Sequence, residues 1–164
     1  MFGKPKHLNN DICLVKLSRP ISFPTHPNVR PICLPPDTNN LYANYDAILT
    51  GWGKVSGDGQ ISTFLQEAEV KILKDKKCKK AFGSAITDRM FCIGKPSQPI
   101  ASACNGDSGG SLIVQNGENF DSVGVVSWGA SGCQDKKPSV MARVTTALAW
   151  IQKKTADSNY CPRV

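Results

Sequence analysis

The shortness of the apolar runs constrains this chain most. Ala47–Thr50, Met90–Ile93, Ser111–Val114, Ser122–Trp128 and Val140–Val144 are each closed by turn-forming or polar residues. Runs this short suit strands; helices and membrane spans need longer periodic or apolar stretches. Asn116-Gly117, between the third and fourth of these runs, is a strong hairpin signal. Leu65–Leu73 alternates in part, which suits a strand and leaves a helix open. Lys74–Phe82 reads as a short helix. Thr145 reads as the cap of a helix running to about Lys154, with Ala147, Leu148, Trp150 and Ile151 as its apolar stripe. Nearer the start, Ile12–Leu17 reads as a buried strand, closed by Ser18-Arg19-Pro20. Six prolines between Pro20 and Pro36 make the next stretch an extended connector. Many short strands and one terminal helix predict an all-β fold, an antiparallel barrel or sandwich.

Composition narrows the function. The chain has 164 residues, and with 40% of them apolar, wholesale disorder is excluded. No stretch is apolar for 18 residues, so no membrane partner is expected. The formal charge is +7, and Lys71, Lys74, Lys76, Lys77, Lys79 and Lys80 supply much of it. A solvated helical face is the simpler reading of these lysines, and a polyanion-binding patch is the other. Aromatic residues are only 7%, and no nucleic-acid-binding motif accompanies the lysines, so no nucleic acid is expected. Seven cysteines suggest an oxidising compartment, and an odd number leaves at least one without an internal partner. Their spacing does not make a zinc site, and no metal or organic cofactor is implied. The opening residues, Met1-Phe2-Gly3-Lys4-Pro5, lack the apolar core of a signal peptide.

The string that carries chemistry is Gly106-Asp107-Ser108-Gly109-Gly110, preceded by Cys104-Asn105. A serine hydroxyl is a weak nucleophile and needs a base and a place for the oxyanion. Glycine ahead of it leaves a backbone N–H open to a developing negative charge. The serine's own N–H is the natural second donor.

Around this string the chain resembles the trypsin/chymotrypsin-like serine peptidases. Asn9-Asn10-Asp11-Ile12-Cys13-Leu14 is similar to the family segment whose Asp orients the catalytic histidine. Pro31-Ile32-Cys33-Leu34-Pro35 resembles its inter-barrel linker, and Thr50-Gly51-Trp52-Gly53 the start of its second barrel. Val126-Ser127-Trp128-Gly129 resembles the strand against which substrate lies. Pro138 to Val144 and the helix with Trp150-Ile151 complete the series. The implied fold is a chymotrypsin-like antiparallel barrel. Residues 1–36 would be the end of a first barrel and the linker, 37–156 a complete second barrel with its C-terminal helix, and 157–164 a tail.

The resemblance implies Ser108 as nucleophile and Asp11 as the carboxylate that holds the histidine. Gly106 and Ser108 would form the oxyanion hole. Asp107 would be the acid that pairs with a new α-amino group on activation. Ser102 would form the base of the specificity pocket and Gly129 and Ser139 its walls, while Ser127 and Trp128 would lie along the substrate. A neutral residue at 102 points to chymotrypsin-like or elastase-like cleavage, after apolar or medium side chains. Cys78 would pair with Cys92 and Cys104 with Cys133. Cys33 resembles a linker cysteine that in some members bonds a propeptide segment. Cys13 reads as a buried free thiol, and Cys161 as free or intermolecular.

The family's Ala-Ala-His-Cys segment is not in this sequence. His7 and His26 are the two histidines, and both read as exposed loop residues. The chain therefore reads as a fragment of an extracellular, secreted serine endopeptidase, inactive by itself and lacking most of its N-terminal barrel. Its expected partners are polypeptide substrates, protease inhibitors and that missing segment. A non-catalytic homologue serving as a binding or regulatory module is the alternative.

Overall fold

In a computed structural model the described residues are 8–94, 103–130, 133 and 137–161. Six strands close on themselves: β1 Asp46–Gly51, β2 Gln66–Ile72, β3 Met90–Gly94, β4 Ser111–Asn116, β5 Asn119–Trp128 and β6 Ser139–Arg143. Their order around the barrel is β1-β2-β3-β6-β5-β4, every pair antiparallel. The ambiguous Leu65–Leu73 stretch is thus a strand. Closure gives every strand a neighbour on both sides, although β1–β4 and β2–β3 pair over only two residues each.

Alternation decides which residues fill the barrel. Ala47 and Leu49 of β1 point inward with Val70 and Ile72 of β2 and Leu112 and Val114 of β4. Phe91, Ile93, Val123, Val126 and Met141 complete this interior. β3 and β6 are buried on both faces, and a helix, α1 (Asp75–Phe82), packs on their outer side. There Cys78 of the helix packs with Met90, Cys92 and Val140, and a disulfide joins Cys78 to Cys92.

The end of β6 carries a buried cation. Arg143 is only 4% exposed. It donates to the carbonyls of Asp88 at 3.1 Å, Leu41 at 3.3 Å and Met90 at 2.9 Å. It also pairs with Asp75 at the start of α1, at 3.0 Å. Its guanidinium lies 5.2 Å from the centre of the Phe91 ring. One side chain so anchors the helix, the strand end and a distant loop together.

The C-terminal helix α2 spans Leu148–Lys154 and is entered through a 3-10 turn at Val144–Ala147. Thr145 is not its cap. The Thr145 hydroxyl is buried with no partner among the described residues, and Thr146 instead bonds the carbonyl of Arg143 at 2.8 Å. Leu148 and Ile151 pack with Val144 against Ile12, Leu34 and Val125.

Three expectations about the first segment and the cysteines are corrected. Ile12–Leu17 forms no strand, and Cys13 to Leu17 are exposed. A strand needs a ladder partner, and none of the described strands pairs with this run, since the barrel closes without it. Cys13 is accordingly an exposed free thiol and not a buried one. Cys33 and Cys161 are bonded to each other. The bond becomes possible because the Cys33 backbone is fixed on β5, accepting from Ser122 and donating to Phe120, while α2 brings the tail alongside. An exposed ion pair, Lys16 to Asp157 at 2.5 Å, links the tail to the Ile12–Leu17 run. Each partner favours the charged form of the other, raising the Lys16 pKa and lowering that of Asp157. Solvent screening keeps its contribution small.

Candidate active site

The loop between residues 103 and 110 is built from two consecutive tight turns. Asp107 N–H bonds the carbonyl of Cys104 at 3.0 Å, and Gly110 N–H bonds that of Asp107 at 2.9 Å. A disulfide from Cys104 to Cys133 ties the loop's base to the segment after β5. Gly109 N–H donates to Val126 of β5 at 2.9 Å, and Val126 N–H returns a bond to Gly110. Ser108 is held at the barrel surface with its side chain exposed.

Asp107 turns inward. Its carboxylate accepts from Gly53 N–H at 2.8 Å and from Cys104 N–H at 2.9 Å. Glycine is required on the facing strand end. A Cβ at Gly51 would lie 2.0 Å from Asp107 Oδ1, and one at Gly53 would lie 2.4 Å from Asp107 Cγ. The two glycines of Thr50-Gly51-Trp52-Gly53 therefore exist to admit this carboxylate. Nothing in the sequence links them to residue 107, because the contact joins distant segments. Gly53→Ala is expected to push the carboxylate aside, costing about 1–3 kcal/mol of stability. Any activity that depends on the loop is expected to fall roughly 100-fold, since displacement by about 1 Å costs that much. Melting temperature and kcat/KM check both effects.

Gly106 has φ +103°, and a Cβ there would approach the Gly53 backbone to 3.0 Å. Only glycine takes that conformation readily. Neither Gly106 N–H nor Ser108 N–H donates a hydrogen bond among the described residues. Among the described residues, both donors are unspent.

Asp11 reaches the same place from the far end of the chain. Ser127 Oγ donates to Asp11 Oδ2 at 2.6 Å. The reason lies in the β5–β6 register, where Val126 faces Met141 and Trp128 faces Val140, leaving Ser127 as the extra residue of a bulge. Bulges re-aim side chains. Here Val126 stays in the core, and the following residue is buried as well. The exposed Asp11 is thereby fixed one residue along β5 from the Val126–Gly109 bond that holds the Ser108 loop. Period-two reasoning alone does not reveal this displacement.

Trp128 is half-buried and meets Phe82 edge-on, with ring centres 4.9 Å apart. Gly129 and Ser139 face each other: a Cβ on Gly129 would lie 3.7 Å from Ser139 Oγ. Ser139 is buried and donates to the carbonyl of Ala103 at 3.4 Å. Ser102 and His7 lie outside the described residues. His26 is exposed, its Nδ1 held by Ser22 at 2.9 Å and Thr25 at 3.0 Å. No hydrogen bond joins it to Asp11 or Ser108 among the described residues.

A closed six-stranded antiparallel barrel with a C-terminal helix is consistent with the chymotrypsin-like fold of serine peptidases. The trypsin family model matches residues 2–151, and the chain belongs to that family. It is 39% identical over 157 residues to transmembrane protease serine 11C of Mus musculus, covering 94% of this chain and 36% of that protein. Transmembrane protease serine 11G of Rattus norvegicus is 37% identical, with 94% of this chain and 37% of that protein covered. The Mus musculus 11G protein is 35% identical, with 94% and 37% covered. The chain thus spans little more than a third of the length of these curated relatives. No helix among its described residues is long and apolar enough to cross a membrane.

Proposed function

We propose that this chain carries the nucleophile half of a serine endopeptidase site. Ser108 Oγ attacks the scissile carbonyl carbon while an imidazole takes its proton. The carbonyl oxygen becomes an oxyanion that the N–H groups of Gly106 and Ser108 stabilise. Collapse breaks the C–N bond, the imidazolium protonates the leaving amine, and Ser108 is left acylated. Water, deprotonated by the same imidazole, then attacks the acyl carbon, and the C–Oγ bond breaks as the imidazolium returns the proton to Ser108, releasing the acid. Asp11 holds the imidazole's tautomer and orientation. The observation that carries this reading is the Ser127–Asp11 bond, one residue from the strand position that holds the Ser108 loop.

The imidazole comes from outside the described residues, since His26 is committed to its own turn. By itself the chain is inactive in this reading. The substrate side chain before the cleaved bond is apolar and of medium size. Ser102, Gly129 and Ser139 offer no charge for a basic side chain, and the Ser139 side chain narrows the cleft that a glycine would leave open. Three disulfides favour an oxidising compartment. The relatives are named as transmembrane proteases, which favours an extracellular domain over free secretion.

A second reading, a non-catalytic homologue that binds a partner, draws on the absence of an imidazole beside Asp11 among the described residues. Reading the transcript upstream of Met1 separates the two. An in-frame Ala-Ala-His-Cys segment is the expected result, and a different residue in place of that histidine favours the homologue. Peptidyl anilides then test specificity on the longest polypeptide that the transcript encodes. Cleavage after Leu, Phe or Ala should exceed cleavage after Lys at least about tenfold, as one unpaired buried charge dictates. Preference for Lys or Arg overturns the pocket reading.

A further inference from the structure

The lysines of α1 take no part in the site described above. Lys76, Lys77, Lys79 and Lys80 are all exposed, while Cys78 is buried and bonded to Cys92. Spacing explains the division. Successive residues turn by about 100° around a helix, so with Cys78 inward, positions 76 and 80 point straight out and 77 and 79 flank them. Lys74 is exposed at the N-cap and extends the patch.

The charge on this face is uncompensated. Asp75 is the one acid in the helix, and it is committed to the buried Arg143 at 3.0 Å. No ion pair reaches Lys74, Lys76, Lys77, Lys79 or Lys80 among the described residues. Lys76 and Lys80 are four apart, and Lys76–Lys79 and Lys77–Lys80 are three apart, so like charges meet on neighbouring positions. Lys76 and Lys77 also sit in the first turn, where the helix dipole opposes a cation. The face keeps this repulsion because its helix is clamped from below by the Cys78–Cys92 bond and the Asp75–Arg143 pair.

We propose that the outer face of α1 binds a linear sulfated or carboxylated polysaccharide. Lys76 and Lys80 stand about 6 Å apart along the axis, a spacing suited to successive anionic groups on one sugar chain. The face is all lysine, a set of flexible point charges; a planar bidentate phosphate site would favour arginine. Its outer positions carry no aromatic ring on which a base could stack and no large apolar residue to enter a lipid surface. An oxidising compartment, indicated by the disulfides, is where such polysaccharides are met.

The test is binding of the full chain to heparin oligosaccharides at about physiological salt, with single-stranded DNA of matched charge and anionic vesicles alongside. The quadruple variant Lys76→Gln, Lys77→Gln, Lys79→Gln, Lys80→Gln should bind heparin at least about tenfold more weakly and with a shallower salt dependence. Glutamine keeps helix propensity, so its far-UV spectrum and melting temperature should match the parent. The pair variant Lys76→Gln, Lys80→Gln supplies an intermediate loss if the quadruple variant misfolds. Lys153→Gln with Lys154→Gln removes charge from α2 as a control and should change affinity less than about threefold. Equal losses in patch and control variants overturn the proposal, as does heparin binding unaffected by the patch substitutions. DNA or vesicles binding as tightly as heparin also overturns it, in favour of a nucleic acid or a membrane surface.

Discussion

Ser108→Ala, made in a polypeptide that includes the proposed catalytic imidazole, is expected to lower kcat by roughly four to six decades while KM and melting temperature hardly move. The magnitude follows from the way a nucleophile, base and orienting acid act as a unit. Ser108 is exposed, and its side chain makes no hydrogen bond among the described residues, so truncating it removes little packing. Asp11→Asn is expected to lower kcat by about four decades through the wrong imidazole tautomer. Combining it with Ser108→Ala should add almost nothing further, because in the proposed mechanism the proton relay that Asp11 would serve no longer has a nucleophile. Full additivity of the two losses on a logarithmic scale would show that the residues act separately and would sink the shared mechanism. Single-turnover acylation by an activated ester, followed alongside, tells loss of chemistry from loss of binding.

The largest loss of stability is expected at Arg143. Arg143→Met keeps most of the side-chain volume and removes the guanidinium. The carbonyls of Asp88, Leu41 and the buried Met90 then lose a donor, and the half-exposed Asp75 loses its ion pair. Losing these hydrogen bonds together costs about 3–5 kcal/mol, or roughly 8–15 °C of melting temperature for a chain of this size. Arg143→Lys should recover little of it, since an ammonium cannot serve acceptors spread around a planar fork. Thermal unfolding of the three proteins decides the matter. A change below about 1 kcal/mol for Met would mean that the network contributes orientation and not stability.

Much of the barrel is legible in the chain because its inward residues alternate and its turns carry Gly, Asn and Pro. β1, β4 and the Asn116-Gly117 hairpin are read directly this way, with Gly117 at φ +62°. β3 and β6 read as strands but not as doubly covered ones, since a helix at 75–82 and a strand at 139–143 are joined to one layer only by folding. Ile12–Leu17 misleads because an apolar run marks a strand only where a partner exists. The Ser108 loop announces itself through five consecutive residues. Its supports do not: the carboxylate seat at Gly51 and Gly53, the bulge at Ser127 and the Cys33–Cys161 bond all depend on segments that meet only after folding.

That last bond has a topological consequence. Cys33 and Cys161 lie 128 residues apart, so their bond makes a covalent ring containing the entire barrel and both helices. A single cut anywhere between them opens the ring without releasing a piece. A protein nicked once in this span, even at its most exposed turn, therefore keeps its mass and separates into two fragments only when a reductant is added.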